Sequence, residues 1–241
     1  MKPLTLMVCP HDTTNNPDRW YRLMQYLSPR TDIPLHLELS LDFADFRANL
    51  HGADIVYASP SDSLQLVDER GFAPLVKPVD RCDEAILIAS AAIGNPTADM
   101  LAGAEVATVA GLLPARVALH SLKRRGIAIE SLHDCESWLG VISAVYQGKA
   151  PFGIVYADTY DALSSESRAM VKPIERTSEC LAHHCVVAGP QAQPHAEELR
   201  RLLVAMSQEP AGREVLADLG FPGWAPLAQA DLQPIRDLMA R

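Results

Sequence analysis

A short turn after a buried strand gathers the hydroxyl groups best placed to bind a ligand. Ile55 to Ala58 is an apolar run too short for a helix and typical of a buried strand. Ser59 and Ser61 follow it around a proline, and Ser61 or Asp62 can cap a helix over residues 64–70. The hydroxyls and the free N–H groups of that helix would then point into one space. An ordinary capped loop between strand and helix fits the same residues.

A second candidate site follows the first predicted strand, Leu4 to Val8. His11 and Asp12 come soon after this strand, at its carboxyl end. Because α/β proteins bind ligands at the carboxyl ends of their strands, we expect His11 to contact a ligand. A capped loop with a solvated imidazole is the alternative. Cys9, beside them, is expected to be a small buried apolar residue.

The densest group of cysteines and histidines is the segment Cys180 to Cys185, which includes His183 and His184. Soft ligands at this spacing could bind a metal ion or a thiophilic oxyanion. A disulfide between Cys180 and Cys185 is another option in an oxidising compartment. Because no other Cys/His cluster lies near in the sequence, we expect a structural role and assign no metal site.

Length, composition and charge exclude several classes of function. The 241 residues, 48% of them apolar, can form one large domain or two small ones. The net charge of -9 argues against a nucleic-acid partner, and no apolar run approaches the ~20 residues of a membrane-spanning helix. Phosphate-binding glycine loops, nucleophile elbows and HExxH motifs are absent from the sequence, so we expect neither catalysis nor a cofactor.

The order of the predicted elements indicates an α/β fold. Residues 1–70 alternate strand and helix three times, which predicts a parallel sheet with helices on its faces. A second alternating block could form another sheet, with a helix over residues 138–147. Its predicted strands are residues 85–89, 105–109, 127–132 and 152–156.

Several motifs spread along the chain carry a family resemblance. They are Trp20 with Tyr26-Leu27, Leu41-Asp42-Phe43, Gly52-Ala53-Asp54-Ile55 with Tyr57, Gly71-Phe72-Ala73-Pro74-Leu75, and residues 144–150, 206–213 and 216–221. Together they resemble the type II periplasmic solute-binding proteins, most closely the phosphonate/phosphate-binding, PhnD-like branch. The resemblance implies two α/β lobes around a central cleft, residues 1–83 plus 186–241 and residues 84–185. Two crossings, near 83–84 and 184–185, would act as hinges that close on a ligand.

The resemblance also implies a set of ligand-binding positions. The family's strand-to-helix turn, its aromatic residue before a helix and its acid after a strand of the second lobe all have counterparts here. The helix N-terminus that grips phosphonate in relatives falls at residues 111–116, which contain no hydroxyl, and Trp138 replaces a histidine. The predicted ligand-binding residues are His11, Phe43, Tyr57, Ser59, Ser61, Arg116, Trp138 and Asp158.

These departures argue against a phosphonate ligand. A dianion needs several convergent donors, whereas Trp138, Tyr57 and Phe43 suit a flat organic or cationic ligand. We therefore predict a small organic ligand, with any anionic group near Arg116. The protein would be the non-catalytic capture subunit of an ABC importer, with a permease as partner. The alternatives are a ligand-sensing domain with a signalling partner and, as a third option, an enzyme built on the same fold.

The beginning of the sequence leaves two compartments open. Residues 1–8 begin with a positive charge, but Cys9-Pro10-His11-Asp12 follows too soon for the apolar region of a signal peptide. We expect a periplasmic protein if a signal peptide has been removed and a cytoplasmic one if Met1 is the native start. A native start at Met1 would favour the sensing role.

Overall fold

Two mixed β-sheets, each covered by helices, organise the chain. The computed structural model describes residues 2–13, 16–40 and 42–240, without the side chain of His51. Leu41, in one of the family motifs, and Met1 therefore lie outside the described residues. The α/β class predicted from the alternation of elements is confirmed.

Strands and helices alternate along most of the described chain. The strands are β1 (Leu4–Val8), β2 (Leu35–Leu39), β3 (Ile55–Ala58), β4 (Ala73–Pro78), β5 (Ala85–Ser90), β6 (Glu105–Thr108), β7 (Ser131–Asp134), β8 (Phe152–Tyr156), β9 (Val171–Arg176), β10 (Cys185–Ala188) and β11 (Trp224–Pro226). The helices are α1 (Pro10–Thr13), α2 (Asp18–Leu27), α3 (Phe43–Asn49), α4 (Pro60–Arg70), α5 (Leu113–Arg124), α6 (Trp138–Tyr146), α7 (Ala157–Asp161), α8 (Ser165–Ala169), α9 (Ala196–Ala205), α10 (Pro210–Leu219) and α11 (Gln233–Met239). Among the described helices, none is both long enough and apolar enough to cross a membrane.

The chain divides into two compact units. Unit 1 consists of Met1–Arg81 and His183–Arg236, and unit 2 of Cys82–Ala182 and Asp237–Arg241. The chain therefore leaves unit 1 after β4 and returns to it just before β10. The end of α11 belongs to unit 2, whereas the lobes predicted from the family resemblance placed it in lobe one.

The sheet of unit 1 has the strand order β11-β4-β10-β3-β1-β2. Strands β1, β2 and β3 are parallel, as predicted, and β10 is antiparallel to both β3 and β4. Cys185, at the start of β10, lies opposite Ala58, at the end of β3. We call this side of the sheet the unit 1 edge: the carboxyl ends of β1 and β3 with the amino end of β10.

The sheet of unit 2 has the order β7-β6-β8-β5-β9. Strands β6, β7 and β8 are parallel, and β5 runs antiparallel to β8 and β9. Ala85, at the start of β5, lies opposite Tyr156, at the end of β8. We call this side the unit 2 edge: the carboxyl ends of β6, β7 and β8 with the amino end of β5.

Helix α6 packs very closely on β8 because Gly153 has no side chain. A Cβ at this position would lie 2.9 Å from Val141, 3.0 Å from Val145 and 3.1 Å from Ile88. All three neighbours are fully buried. The close approach fixes α6 on the sheet, and with it Trp138 at the first turn of the helix.

Some element boundaries differ from those predicted. Helix α4 begins at Pro60 and is capped by Ser59 rather than by Ser61 or Asp62. Strand β7 starts at residue 131 rather than 127, because Ile127 packs beneath the end of α5 and pairing with β6 begins only at Ser131. Strands β9 and β11 were not predicted. Because β9 contains Pro173 and several charged residues, it lacks the apolar–polar alternation that predicts a strand, and β11 is only three residues long.

A disulfide joins the two segments by which the chain enters and leaves unit 2. Cys82 is bonded to Cys180, with 5.1 Å between their Cα atoms. This corrects the predicted option of a Cys180–Cys185 bridge, since Cys185 is a free, buried cysteine at the start of β10. The amide of Asp83 donates to the carbonyl of Ala182 at 2.7 Å, so the cross-link lies within a bonded pair of segments.

Replacing both bridged cysteines by serine should lower the stability of the protein. The disulfide joins residues 98 positions apart, and disulfides typically contribute about 2–4 kcal/mol, with long loops such as this one at the upper end or slightly above. We expect a loss of this size in urea-induced unfolding of C82S/C180S, and the same loss when reductant is added to the unaltered protein. The matched control is C135S, which removes an unbridged cysteine of unit 2. Equal stability of C82S/C180S and C135S would contradict the assignment.

A methyl group at position 153 should destabilise unit 2. We expect G153A to lose about 1–3 kcal/mol of unfolding free energy, because α6 and β8 must move apart to admit the new Cβ. The control is G94A, since a Cβ at Gly94 would have no heavy atom within 4 Å. Equal urea midpoints for the two variants would show that the packing here is loose.

Candidate functional site

The unit 1 edge holds a cluster of ionisable side chains around the end of β1. The amide of Cys9 donates to the carbonyl of Tyr57 at 2.8 Å, which ties the end of β1 to β3. One helical turn later, Asp12 Oδ2 lies 2.9 Å from Nδ1 of His184, the residue before β10. The rings of His11 and His184 are 6.1 Å apart. The structure thus brings the predicted His11 together with Asp12 and His184.

Asp12 is a buried carboxylate held by positive charge. Burial alone would raise its pKa, but His184, His11 and Arg19 outweigh that effect and lower the pKa below its ordinary value. The Arg19 guanidinium also donates to the Asp12 carbonyl, and Trp20 Nε1 donates to the same oxygen at 3.2 Å. Asp12 is therefore an ionised and tightly positioned group.

Tyr57 lies beneath this cluster rather than at the surface. Its side chain is 1% exposed, and its ring packs 4.7 Å from that of Trp20 and 5.9 Å from that of Trp224. The ring of His184 lies 5.5 Å from the Tyr57 ring. Tyr57 therefore supports His184 from the core, and direct contact between Tyr57 and a ligand stays a prediction.

The serine-containing turn after β3, residues 59–61, mainly caps helix α4. Ser59 Oγ accepts from the amide of Asp62 at 3.2 Å and donates to its carboxylate at 2.8 Å. Arg47 Nε donates to the same carboxylate at 3.2 Å, and its guanidinium lies 5.6 Å from the ring of Phe43. Phe43 is 43% exposed, so it remains accessible to a ligand. Ser61 lies in the first turn of α4, half-buried.

The unit 2 edge brings two other predicted residues together. Ser137 caps α6 by accepting from the amide of Gly140 at 3.1 Å, which places Trp138 in the first turn. The ring of Trp138 lies 6.4 Å from that of Tyr156. The Tyr156 hydroxyl lies 3.2 Å from a carboxylate oxygen of Asp158 and 3.2 Å from one of Asp83. We call Asp83, Trp138, Tyr156 and Asp158 the aromatic–acid group.

Arg116 lies in a different part of unit 2. Its guanidinium donates to the carbonyls of Leu238 and Met239, both at 3.2 Å, and so holds the end of α11. It borders a hollow of about 290 Å³ that His120 and Lys123 also line. A role for Arg116 in binding an anionic group of a ligand stays a prediction.

The predicted ligand-binding residues did not include three members of these groups, namely His184, Tyr156 and Asp83. His184 reaches the unit 1 edge because β10 runs antiparallel to β3, a pairing that a single sequence does not reveal. Tyr156 could have been found, because it is the last residue of a predicted buried strand, where α/β proteins place ligands. Asp83 and Glu84 were recognised from the resemblance as acids at the crossing, where relatives carry an aromatic residue, and as an argument against a dianion, but neither was named as a ligand-binding residue.

His183, the residue before His184 of the unit 1 edge, should make the stability of the protein depend on pH. Its side chain is 3% exposed, and burial together with nearby Lys77 and His184 lowers its pKa from 6.5 to about 4. The unfolded chain therefore takes up a proton near pH 6.5 and the folded protein only near pH 4, so stability falls as pH falls through this window. When the pH is lowered from 7 to 4.5, the free energy of unfolding should fall in both proteins, but by about 2 kcal/mol less in H183Q than in the unaltered protein.

Urea unfolding across this pH range measures the effect. H36Q, which removes an exposed histidine of β2, is the matched control for loss of an imidazole. If the profile of H183Q runs parallel to that of the unaltered protein, His183 is not buried in its neutral form.

Comparison with known proteins places this architecture in a family. Three solved structures are similar to this chain over 98–100% of its length. XAC2383 from Xanthomonas citri bound to ATP is 18% identical over 96% of that chain, with a TM-score of 0.69, and PhnD1 from Prochlorococcus marinus in complex with methylphosphonate is 10% identical over 97% of that chain, with a TM-score of 0.71. The periplasmic aliphatic sulphonate binding protein SsuA from Escherichia coli is 14% identical over 83% of that chain, with a TM-score of 0.65. At these identities the likeness shows the fold, and no curated protein matches the sequence. A family model described as "ABC transporter, phosphonate, periplasmic substrate-binding protein" matches residues 7–232. Because that match spans most of the chain, the protein belongs to this family of periplasmic substrate-binding proteins.

Proposed function

We propose that the protein captures a small organic cation for an ABC importer, without catalysis. Membership of the substrate-binding family supports the capture role. The observation that carries the choice of ligand is the aromatic–acid group of unit 2, in which the ring of Trp138 lies near that of Tyr156 and the Tyr156 hydroxyl lies beside two carboxylates. Such a group favours a positive charge flanked by an aromatic face.

The same edge is poorly equipped for a phosphonate dianion. A dianion needs several convergent donors, but residues 111–116 at the start of α5 contain no hydroxyl. Ser59 of unit 1 is occupied in capping α4. Asp83 and Asp158 would repel a dianion at contact distance, because like charges close together cost free energy.

A cation would find two kinds of partner at the unit 2 edge. The face of Trp138, which is partly exposed, can take a cation–π contact worth about 0.5–2 kcal/mol. Asp158, also partly exposed, can accept hydrogen bonds from an ammonium group or balance the charge of a quaternary one. The organic remainder of the ligand would stack on the aromatic rings.

Unit 1 would supply the second half of the binding surface in this proposal. Of the predicted residues of that unit, Phe43 is well exposed, and His11, Ser59 and Ser61 are partly exposed. A ligand that touches residues of both units would favour a closed arrangement through its extra contacts there, as the resemblance to hinged solute-binding proteins implies.

We also propose that the protein works in the periplasm. The family is periplasmic by description. A disulfide that joins Cys82 to Cys180 persists in an oxidising compartment and is rare in the cytosol. An ABC permease would then be the partner that receives the solute.

Calorimetric titration with probes of different charge tests the choice of ligand. We expect choline, as a quaternary ammonium probe, to bind more tightly than methylphosphonate or methanesulfonate. W138A and D158N should each weaken choline binding about tenfold, equivalent to ~1.4 kcal/mol, by removing a cation–π face or a counter-charge.

Two substitutions on unit 2 serve as matched controls. Y146A removes an aromatic ring that is 60% exposed at the other end of α6, and D99N removes an exposed carboxylate. Neither should change the affinity for choline. Micromolar binding of methylphosphonate, with no binding of choline, would reject the proposed ligand class but leave the capture function standing. Failure of every probe, together with failure of cell extracts to raise the melting temperature, would count against capture itself.

A further inference from the structure

The unit 1 edge holds three potential metal ligands of different chemistry. They are the Cys9 thiol, the Asp12 carboxylate and the His184 imidazole, and one ligand atom from each lies within 4.8 Å of the other two. Cys9 and Asp12 are buried, and the His184 side chain is 11% exposed. Among the described residues, this is the only such group of three or more.

The fold brings this group together from the ends of two strands, β1 and β10, on either side of a third, β3. Cys9 follows β1 and is bonded to the end of β3 through the carbonyl of Tyr57. The amide of Asp12 donates to the carbonyl of Cys9 at 2.9 Å, so the two side chains are fixed one turn apart. His184 arrives on the antiparallel strand β10 and is supported from below by the ring of Tyr57. The backbone of the sheet therefore brings these three residues together.

Thiolate sulfur, imidazole nitrogen and carboxylate oxygen together suit one kind of ion. Zinc accepts all three donor types, and open zinc sites use three protein ligands with a fourth position left for water or another donor. Calcium and magnesium prefer oxygen ligands alone and would not use a thiol or an imidazole. A borderline transition ion of the zinc type therefore fits best.

We propose that Cys9, Asp12 and His184 form a binding site for a divalent zinc-type ion in unit 1. The fourth position of the ion would be taken by water or by a donor atom of a bound molecule. Tetrahedral ligands about 2.0–2.3 Å from zinc lie about 3.5 Å apart. The three ligand atoms lie within 4.8 Å of one another, and Asp12 Oδ2 and His184 Nδ1 are 2.9 Å apart, so side-chain adjustments of about 1 Å would reach that geometry. The imidazole of His184 can supply this movement, because it reaches the solvent and is the least buried of the three.

The charges around the site are compatible with a bound dication. With the thiol deprotonated on binding, Cys9 and Asp12 contribute two negative charges that balance the ion. Arg19 and His184 lie near different oxygens of the Asp12 carboxylate. Arg19 Nη2 lies 3.7 Å from Oδ1, and His184 Nδ1 lies 2.9 Å from Oδ2. Asp12 can thus keep its partner Arg19 and still bind an ion through the other oxygen. The backbone carbonyl of Asp12 remains bonded to Arg19 and Trp20.

Metal titration of the chelator-treated, full-length protein tests this site. We expect one equivalent of Zn²⁺ to bind at micromolar concentration, with no binding of Mg²⁺. Co²⁺ in place of Zn²⁺ should give a thiolate-to-cobalt charge-transfer absorption, which reports directly on sulfur ligation. C9S should abolish that absorption and weaken Zn²⁺ binding about tenfold or more, and D12N should weaken binding to a similar degree.

Matched controls separate this site from adventitious binding. C135S removes a free cysteine of unit 2, and H36Q removes an exposed histidine of unit 1, so neither should change the stoichiometry or the cobalt spectrum. Far-ultraviolet circular dichroism confirms that each variant is folded. A folded unaltered protein without the charge-transfer absorption, or with Zn²⁺ affinity equal to that of C9S and D12N, would overturn the proposal. These readouts use no organic solute, so they are independent of the outcome for choline.

Discussion

The antiparallel strand set among parallel strands is the constraint on which both candidate sites depend. In unit 1, β10 pairs with β3 and β4, and in unit 2, β5 pairs with β8 and β9. This pairing puts the amino end of one strand beside the carboxyl ends of its neighbours. His184 and Asp83 reach their sites only for this reason, since each precedes the first residue of an antiparallel strand by one or two positions. Backbone hydrogen bonds, rather than side-chain preferences, therefore position the chemistry.

The carboxylates at the two edges have different surroundings. At the unit 1 edge, the buried Asp12 is surrounded by His184, His11 and Arg19, so its charge is balanced within the protein. A buried ion pair of this kind adds little stability by itself, because desolvation offsets the attraction. At the unit 2 edge, Asp83 and Asp158 are only partly buried and share the Tyr156 hydroxyl. The first edge is organised by charge balance and the second by carboxylates beside aromatic rings.

The sequence predicted the regular elements well and the long-range pairings poorly. Strand β3 and the parallel order of β1, β2 and β3 follow from short apolar runs separated by amphipathic segments. The family resemblance carried the fold class, and the described structure confirms it.

The sequence did not reveal that Cys180 pairs with Cys82 rather than Cys185, because a partner 98 residues away leaves no local trace. Strand β9 escaped because it is an edge strand with proline and charged residues, which lack the alternation of a half-buried strand. Of the predicted site residues, Trp138 and Asp158 both lie near Tyr156, whereas Arg116 lies elsewhere in unit 2 and donates to the end of α11.

The bridge between Cys82 and Cys180 bears on how the chain is made. A polypeptide emerging from its amino end completes residues 82–182 before β10 exists, so unit 1 waits with its sheet unfinished between β3 and β4. Once unit 2 has folded and its bridge has formed, the segment that carries β10 is tied beside the segment that leaves β4. The inserted unit then acts as a template that delivers the missing central strand to its place. Oxidation would in this way hasten the last step of assembly.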